Sequence, residues 1–230
     1  MKTKKSVVVL ISGSGSNLQA IIDRSLNNDS AYDVVSVISN RPDAYGLTRA
    51  SNSNIPQQTL DHTHYANRED FDLALIQAID TYQPDLVVLA GFMRILTTEF
   101  VQHYAGRLLN IHPSLLPKYQ GLHTHQRALD AGDKQHGVSV HFVTEELDGG
   151  PIVMQSVIDI EASDTADSLQ SKIHKREHKL YPHCINWYAE EKIYLHEDKV
   201  FIDGQPLDKP LIYERIHNNK SACNAQTSTA

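Results

Sequence analysis

Short apolar segments that alternate with segments of helical periodicity constrain the fold of this 230-residue chain most strongly. Val7–Ile11 is β-branched or aliphatic throughout, and Leu86–Ala90 is equally apolar. Such runs are typical of strands that are buried on both faces of a parallel sheet. Between them, Asn17–Leu26 carries its apolar residues at helical spacing. This alternation predicts an α/β fold with a doubly wound, mostly parallel sheet through about residue 110.

The pattern changes in the second half of the chain. Val138–Val143 alternates in polarity, and Ile152–Ile160 follows after a turn, so we expect two antiparallel strands there. Ala166–Tyr188 predicts one long helix, in which Pro182 indicates a kink or a break. A small hairpin is expected after it, over 192–202.

Composition limits the classes of protein that the chain can represent. An apolar content of 40% is typical of a globular protein, and a net charge of −7 argues against a nucleic-acid partner. The longest apolar run, Leu86–Leu96, contains Arg94 and is too short to span a bilayer. Cys184 and Cys223 are the only cysteines and cannot form a disulfide framework. We therefore expect a cytoplasmic protein without a membrane partner.

No internal repeat and no linker divides the sequence. We expect a single domain over residues 1–205 and a C-terminal extension over 206–230. The last part of that extension lacks any core-forming pattern and is expected to be disordered.

A glycine turn, Ser12-Gly-Ser-Gly-Ser-Asn17, joins the first strand to the first helix. Small residues let the backbone approach an anion, and the helix start offers free N–H groups. Ser16 or Asn17 can also cap this helix, so a tight turn with a cap is the structural alternative. A dinucleotide fingerprint fits poorly because Leu18 stands in place of its third glycine, and no P-loop lysine follows. A single phosphate, as on a phosphoribosyl group, fits this shorter turn better.

Three polar residues in apolar surroundings predict catalysis. Asn110 and His112 project from the same face of a strand that Pro113 ends, which places them where open α/β sheets bind ligands. Asp148 lies in a turn before two glycines. Alone, each has a structural interpretation, as a strand-end residue, a core histidine and a turn former. Together, an amide, an imidazolium and a carboxylate suit a tetrahedral intermediate formed when an amine attacks an acyl group.

The other histidines do not form a pattern typical of a metal site. His123, His125, His136 and His141 lack the spacing of a usual zinc ligand set, so we expect no metal. We expect His123 and His125 to begin a short helix after a mobile loop, Lys118–Gly121, that could cover the site.

Five longer motifs resemble the phosphoribosylglycinamide formyltransferases, the folate-dependent transformylases of purine synthesis. In chain order they are 9–22, 89–96, 109–119, 121–125 and 137–151. The resemblance covers about residues 6–205 and implies a Rossmann-like formyltransferase fold. It also implies transfer of a formyl group from 10-formyltetrahydrofolate, as co-substrate, to the amino group of 5-phosphoribosylglycinamide in IMP biosynthesis.

The same resemblance implies roles for individual residues. Asn110 and His112 would polarise the formyl oxygen, with His112 as the general acid, and Asp148 would keep His112 charged and help to move a proton through water. Phosphoribosylglycinamide would contact two groups of residues, Gly15, Ser16 and Asn17 in the turn and His174, Lys175, Arg176 and Glu177 on the long helix. The folate would contact Arg68, Met93, Arg94, Ile95, Leu96, Asn110, Thr144, Glu145, Glu146, Leu147 and Asp148.

Several of these positions have an ordinary interpretation as well. Arg68 and Glu177 would by default be charges on solvated helix faces, and Arg94 is equally ambiguous. Two positions depart from the family pattern, since Gln120 stands where proline is frequent and Ser14 where asparagine is frequent. The expected partners are the two small-molecule substrates, with the protein acting as a monomer or homodimer.

Other functions remain as alternatives. A 10-formyltetrahydrofolate hydrolase or a formyltransferase of methionyl-tRNA shares the Asn-x-His…Asp set. The former usually has an additional regulatory domain, and the latter an additional C-terminal domain and a basic surface. A nicotinamide oxidoreductase or a non-catalytic nucleotide-binding module is disfavoured, because the third glycine and the ribose-binding acid are missing.

Overall fold

The computed structural model describes residues 3–216, which contain one eight-stranded sheet, one three-stranded sheet, six α-helices between residues 16 and 189, and helical residues at 213–216. The strands are β1 (Lys5–Ile11), β2 (Tyr32–Ser39), β3 (Gln57–Thr59), β4 (Leu86–Leu89), β5 (Leu108–His112), β6 (Gln135–Phe142), β7 (Ile152–Asp159), β8 (Ile193–His196), β9 (Lys199–Ile202), β10 (Gln205–Pro206) and β11 (Leu211–Ile212). The helices are α1 (Ser16–Ser25), α2 (Tyr45–Asn52), α3 (Arg68–Asp80), α4 (Thr98–His103), α5 (Thr124–Asp130) and α6 (Ala166–Ala189), with a 3₁₀ turn at His62–His64.

The large sheet has the strand order β11-β7-β6-β5-β4-β1-β2-β3. Strands β3, β2, β1, β4 and β5 run parallel to one another, whereas β6 is antiparallel to both β5 and β7. The prediction of a mostly parallel, doubly wound sheet with antiparallel strands in the second half is therefore confirmed.

The continuous apolar runs reflect burial of the sheet on both faces. Val7 and Val9 of β1 belong to a core cluster that includes residues of α1 and α6. Val8 and Leu10 project to the other face and belong to a second cluster with residues of α3 and α4. Both faces of the strand are therefore apolar, as a parallel sheet between two helix layers requires.

Helix α6 is continuous over 24 residues, although Pro182 lies inside it. Of the kink or break predicted at this residue, the break is wrong, because the helix continues through it. A proline inside a helix costs about 3 kcal/mol. However, residues before and after it, including Tyr181 and Ile185, are fully buried against the sheet. Packing along the whole helix therefore offsets the local cost.

The described part of the C-terminal extension packs on the large sheet. Strand β11 pairs in parallel with β7, and Glu214 accepts hydrogen bonds from the Ser156 hydroxyl and the Val157 N–H group. The last dozen residues, which are expected to be disordered and include Cys223, lie outside the described residues.

Candidate active site

Strand β5 carries two of the predicted catalytic residues at its carboxyl end. Leu108 and Leu109 are buried and hold the strand in the sheet, between β4 and β6. Asn110 is partly buried, and His112 is 6% exposed. Both side chains line a single cavity, where ligands bind in open α/β sheets.

Asp148 reaches the same place from the turn between β6 and β7. Its Oδ2 lies 3.4 Å from Nδ1 of His112, and its Oδ1 accepts a hydrogen bond from Nδ2 of Asn110 at 3.4 Å. Asp148 has a φ of 50°, in the left-handed region, and its side chain is 9% exposed. The structure therefore brings the amide, the imidazole and the carboxylate together.

The loop Lys118–Gly121 fixes the orientation of the His112 ring. Nε2 of His112 lies 2.8 Å from the carbonyl oxygen of Tyr119. Because a carbonyl can only accept a hydrogen bond, Nε2 carries a proton and Nδ1 faces Asp148. The N–H group of Gly121 donates to Oδ2 of Asp148 at 3.0 Å, so the loop also holds the carboxylate.

His141 completes the group, although the sequence does not predict it as a site residue. Its Nδ1 donates to the carbonyl oxygen of Phe142 at 2.9 Å, which leaves Nε2 to accept from Nδ2 of Asn110 at 3.2 Å. Burial lowers the pKa of His141, against the opposing effects of the Phe142 carbonyl and Asp148. This neutral ring orients the Asn110 amide. His141 could be recognised as a site residue only from the register of the strand pairing, because it lies directly opposite Asn110 on the neighbouring antiparallel strand.

The cavity has a volume of about 820 Å³ and lies at the carboxyl end of β4 and β5. This is large enough for a cofactor-sized ligand. The predicted residues that line it are Met93, Arg94, Ile95, Asn110, His112, Leu147 and Asp148. Residues that line it without having been predicted include Gly91, Thr124, Asp167 and Gln170. Arg68, Leu96, Thr144, Glu145 and Glu146 are not among its lining residues.

The side chains at the outer end of the expected folate site are exposed or partly buried. Arg68 begins α3, and its guanidinium lies 3.8 Å from Glu69, as its ordinary interpretation predicts. Arg94 stacks over the Phe71 ring at 4.7 Å, and its Nε is buried without a hydrogen-bond acceptor among the described residues. Glu145 accepts a hydrogen bond from Gln102. Of the two arginines, Arg94 is therefore the one that lines the cavity.

The glycine turn leaves the start of α1 without a side-chain cap. Gly15 occupies the cap position with a φ of 69°, so the prediction that Ser16 or Asn17 caps the helix is wrong. Glycine suits this position because a Cβ atom would lie 2.7 Å from Cα of Gly46. With no side chain bonded to them, the first N–H groups of α1 are suited to an anion.

Helix α6 approaches this turn through Glu177. Nδ2 of Asn17 donates to Oε2 of Glu177 at 3.0 Å. Glu177 is 4% exposed, so its default interpretation as a solvated charge is wrong. Burial raises the pKa of this carboxyl group, and the hydrogen bond from Asn17 partly opposes that effect. The turn and the long helix are therefore in direct contact.

The three residues before Glu177 have different surroundings. His174 stacks on His178 with 6.2 Å between the ring centroids. Lys175 is exposed, and Arg176 forms an ion pair with Glu214 at 3.4 Å. Among these three residues, Arg176 is therefore held by an ion pair to the C-terminal segment.

Two of the histidines considered for a metal site bond to each other. Nδ1 of His125 lies 2.9 Å from Nε2 of His136, and burial lowers the pKa of His136 to about 4. Over residues 3–216, no group of three histidine, cysteine or acidic side chains is arranged to hold a metal ion. Over the same range, no helix has both the length and the apolar character needed to cross a membrane.

A Rossmann-like sheet with these converging groups at the carboxyl end of its strands defines the class of protein. The family model for formyl transferases matches residues 5–185, so this class is the formyl transferases. Within that class, the chain is 54% identical over 202 residues to the phosphoribosylglycinamide formyltransferase of Escherichia coli K12, covering 88% of this chain and 95% of that protein. It is 45% identical to the Haemophilus influenzae protein of the same name, over 89% of this chain and 97% of that protein. The chain belongs to the phosphoribosylglycinamide formyltransferase family.

A solved structure supports the same assignment. The phosphoribosylglycinamide formyltransferase of Coxiella burnetii, in complex with CHES, superposes with a TM-score of 0.88 at 49% sequence identity. The match covers 91% of this chain and 99% of that one. The described fold is therefore shared over almost its whole length.

Proposed function

We propose that this protein transfers the formyl group of 10-formyltetrahydrofolate to the amino group of 5-phosphoribosylglycinamide, a step of purine biosynthesis. The close relatives named for this activity support the proposal. The observation that carries it is the convergence of Asn110, His112 and Asp148 within 3.4 Å contacts at the edge of the cavity. We further infer that the reaction takes place in the cytoplasm.

In the proposed reaction, the substrate amine attacks the formyl carbon, and the formyl oxygen gains negative charge. One proton of the Asn110 amide points to His141, and the other makes a long contact of 3.4 Å with Asp148 that it can share with this oxygen. A proton on Nδ1 of His112 supplies a second, charged donor. Both donors are positioned before the substrate binds, so they stabilise the tetrahedral intermediate without reorganisation.

Proton transfer completes the proposed reaction. The attacking nitrogen loses a proton, and the folate nitrogen gains one as its bond to the formyl carbon breaks. Asp148 lies 3.4 Å from His112 and is the carboxylate suited to relay this proton, through water. The products are the formylated nucleotide and tetrahydrofolate.

Phosphoribosylglycinamide would bind between the glycine turn and α6. Gly15, Ser16 and Asn17 would hold the phosphate at the uncapped start of α1, where N–H groups and the helix dipole favour an anion. Glu177, which already bonds to Asn17, would lie against the glycinamide together with residues 174–176. The buried carboxylate would then orient the nucleophile.

The folate would occupy the apolar part of the cavity. Met93, Arg94, Ile95 and Leu96 after β4, and residues 144–148 before β7, would enclose the pterin through backbone groups and apolar walls. Arg68 would meet the carboxylate of the folate's glutamate. The unbonded Nε of Arg94 offers a further donor beside the cavity.

The test is to incubate the protein with 10-formyltetrahydrofolate, with and without phosphoribosylglycinamide, and to measure tetrahydrofolate and formylated nucleotide. We expect tetrahydrofolate to form only when phosphoribosylglycinamide is present, in equal amount to the formylated nucleotide. Equal release of tetrahydrofolate in its absence would indicate a hydrolase and contradict the proposal.

A further inference from the structure

One buried hydroxyl group links the two strands that carry the site. Tyr181 of α6 is fully buried, and its Oη lies 3.0 Å from the carbonyl oxygen of Leu89 and 2.9 Å from that of Leu109. A hydroxyl group has a single proton, so the two carbonyls share it in a three-centre hydrogen bond. This side chain therefore joins β4 to β5 from the helix beneath them.

The two carbonyls lie at the point where the site begins. Leu89 is the last residue of β4, and the following segment, 91–95, lines the cavity. Leu109 directly precedes Asn110 in β5. The hydroxyl therefore acts on the backbone one residue before the catalytic amide and two residues before segment 91–95, which we call the folate wall.

The backbone pairing of β4 with β5 ends at the same level. Its last pair is Leu89 with Asn110, whereas β5 continues to pair with β6 through His112. Beyond Leu89, the chain bonds to the β1 side instead, through Ala90 N–H to the Leu10 carbonyl and Ser12 N–H to the Gly91 carbonyl, and no pairing with β5 continues among the described residues. The Tyr181 hydroxyl lies at the last β4–β5 pairs and adds a side-chain link between the two strands there.

We propose that Tyr181 is a positioning residue for formyl transfer, whose hydroxyl holds β4 against β5 so that the Asn110 amide keeps its place opposite the folate wall. It acts through Asn110 and is buried away from the cavity. This inference rests on the proposed function of Asn110.

The simpler alternative is that Tyr181 serves packing alone. In that case the ring would matter and the hydroxyl would contribute only to stability. Tyr32 provides a matched control, because it is also fully buried and donates to a backbone carbonyl, that of Ile21, at 2.9 Å. Tyr32 lies at the start of β2, at the end of the strand opposite to the site.

The first experiment compares Tyr181→Phe with Tyr32→Phe at a temperature where circular dichroism shows both variants to be folded. Both lose one buried hydroxyl and should unfold at similarly lower temperatures. We expect Tyr181→Phe to lower kcat about tenfold, the scale of one lost hydrogen bond, with KM for both substrates within about twofold of wild type. Tyr32→Phe should leave kcat unchanged. An equal loss of kcat in the two variants would overturn the inference.

The second experiment tests whether the effect passes through Asn110. In an Asn110→Ala background, Tyr181→Phe should lower kcat no further, since the group that it positions is gone. A further tenfold loss there would overturn the inference. Replacing Tyr181 by 4-aminophenylalanine retains a donor at the same point and should restore kcat. A wild-type kcat in Asn110→Ala alone would instead contradict the proposed function of Asn110.

Discussion

Glu177 is a single residue whose burial has a cost in stability. Its carboxyl group is buried, and burial raises its pKa above the unfolded value of 4.5. The folded protein therefore holds this proton more tightly than the unfolded chain. The resulting stabilisation is complete below pH 4.5 and is lost as the pH rises through the folded pKa. Above the folded pKa, an ionised Glu177 opposes folding, which is explained if it binds substrate.

We predict that Glu177→Gln raises the thermal midpoint at pH 8 while weakening binding of phosphoribosylglycinamide. The neutral amide removes the cost of burying a charge and can still accept from Asn17. The expected increase is a few degrees, as about 1 kcal/mol corresponds to about 2–4 °C for a domain of this size. It should shrink toward pH 4.5, and KM for the nucleotide should rise about tenfold. Calorimetry and steady-state kinetics measure both effects.

The control for this variant is Glu99→Gln, which neutralises an exposed carboxylate in the first turn of α4. It should change neither the pH dependence of stability nor KM. A lower midpoint for Glu177→Gln at pH 8, or an unchanged KM, would show that the buried carboxylate is structural.

At the scale of elements, the turn between β6 and β7 determines where Asp148 lies. A Cβ atom on Gly150 would lie 1.9 Å from the carbonyl oxygen of Phe142, which also accepts the hydrogen bond from His141. The two strands can approach this closely only with glycine at position 150. The turn thereby delivers Asp148 to His112.

We predict that Gly150→Ala lowers kcat at least tenfold and destabilises the fold by about 1–3 kcal/mol, since an added methyl group must displace backbone. The matched control is Gly132→Ala, where φ is 66° but no atom lies within 4 Å of the added Cβ. Backbone strain of about 1–2 kcal/mol should lower its stability without changing kcat. Urea unfolding and initial rates distinguish the two variants. If both keep the wild-type kcat, the turn does not position Asp148.

The elements that could be predicted are those with a strong apolar pattern. Strands β1 and β4 and helix α1 have such patterns, whereas the exposed β3 and the two-residue strands β10 and β11 have none. The break expected at Pro182 is wrong because packing of α6 on the sheet outweighs a local preference. The apolar pattern therefore predicts the buried strands and helices but does not predict the short strands at the edges of the sheets.

At the scale of the whole molecule, the site combines side chains from distant parts of the chain. The convergence of Asn110, His112 and Asp148 could be predicted from their residue types and from the family resemblance. The contacts of His112 with the Tyr119 carbonyl and of Asn110 with His141 could not. They depend on loop conformation and strand register, which only the folded chain fixes.

The most direct test of the central claim is the rate of formyl transfer to phosphoribosylglycinamide by the Asp148→Asn variant. The substitution keeps the size of the side chain and removes the charge beside His112. If the carboxylate relays the proton, kcat should fall about 10²–10⁴-fold while thermal stability and both KM values stay near those of wild type. A kcat equal to that of the wild-type protein would contradict the account.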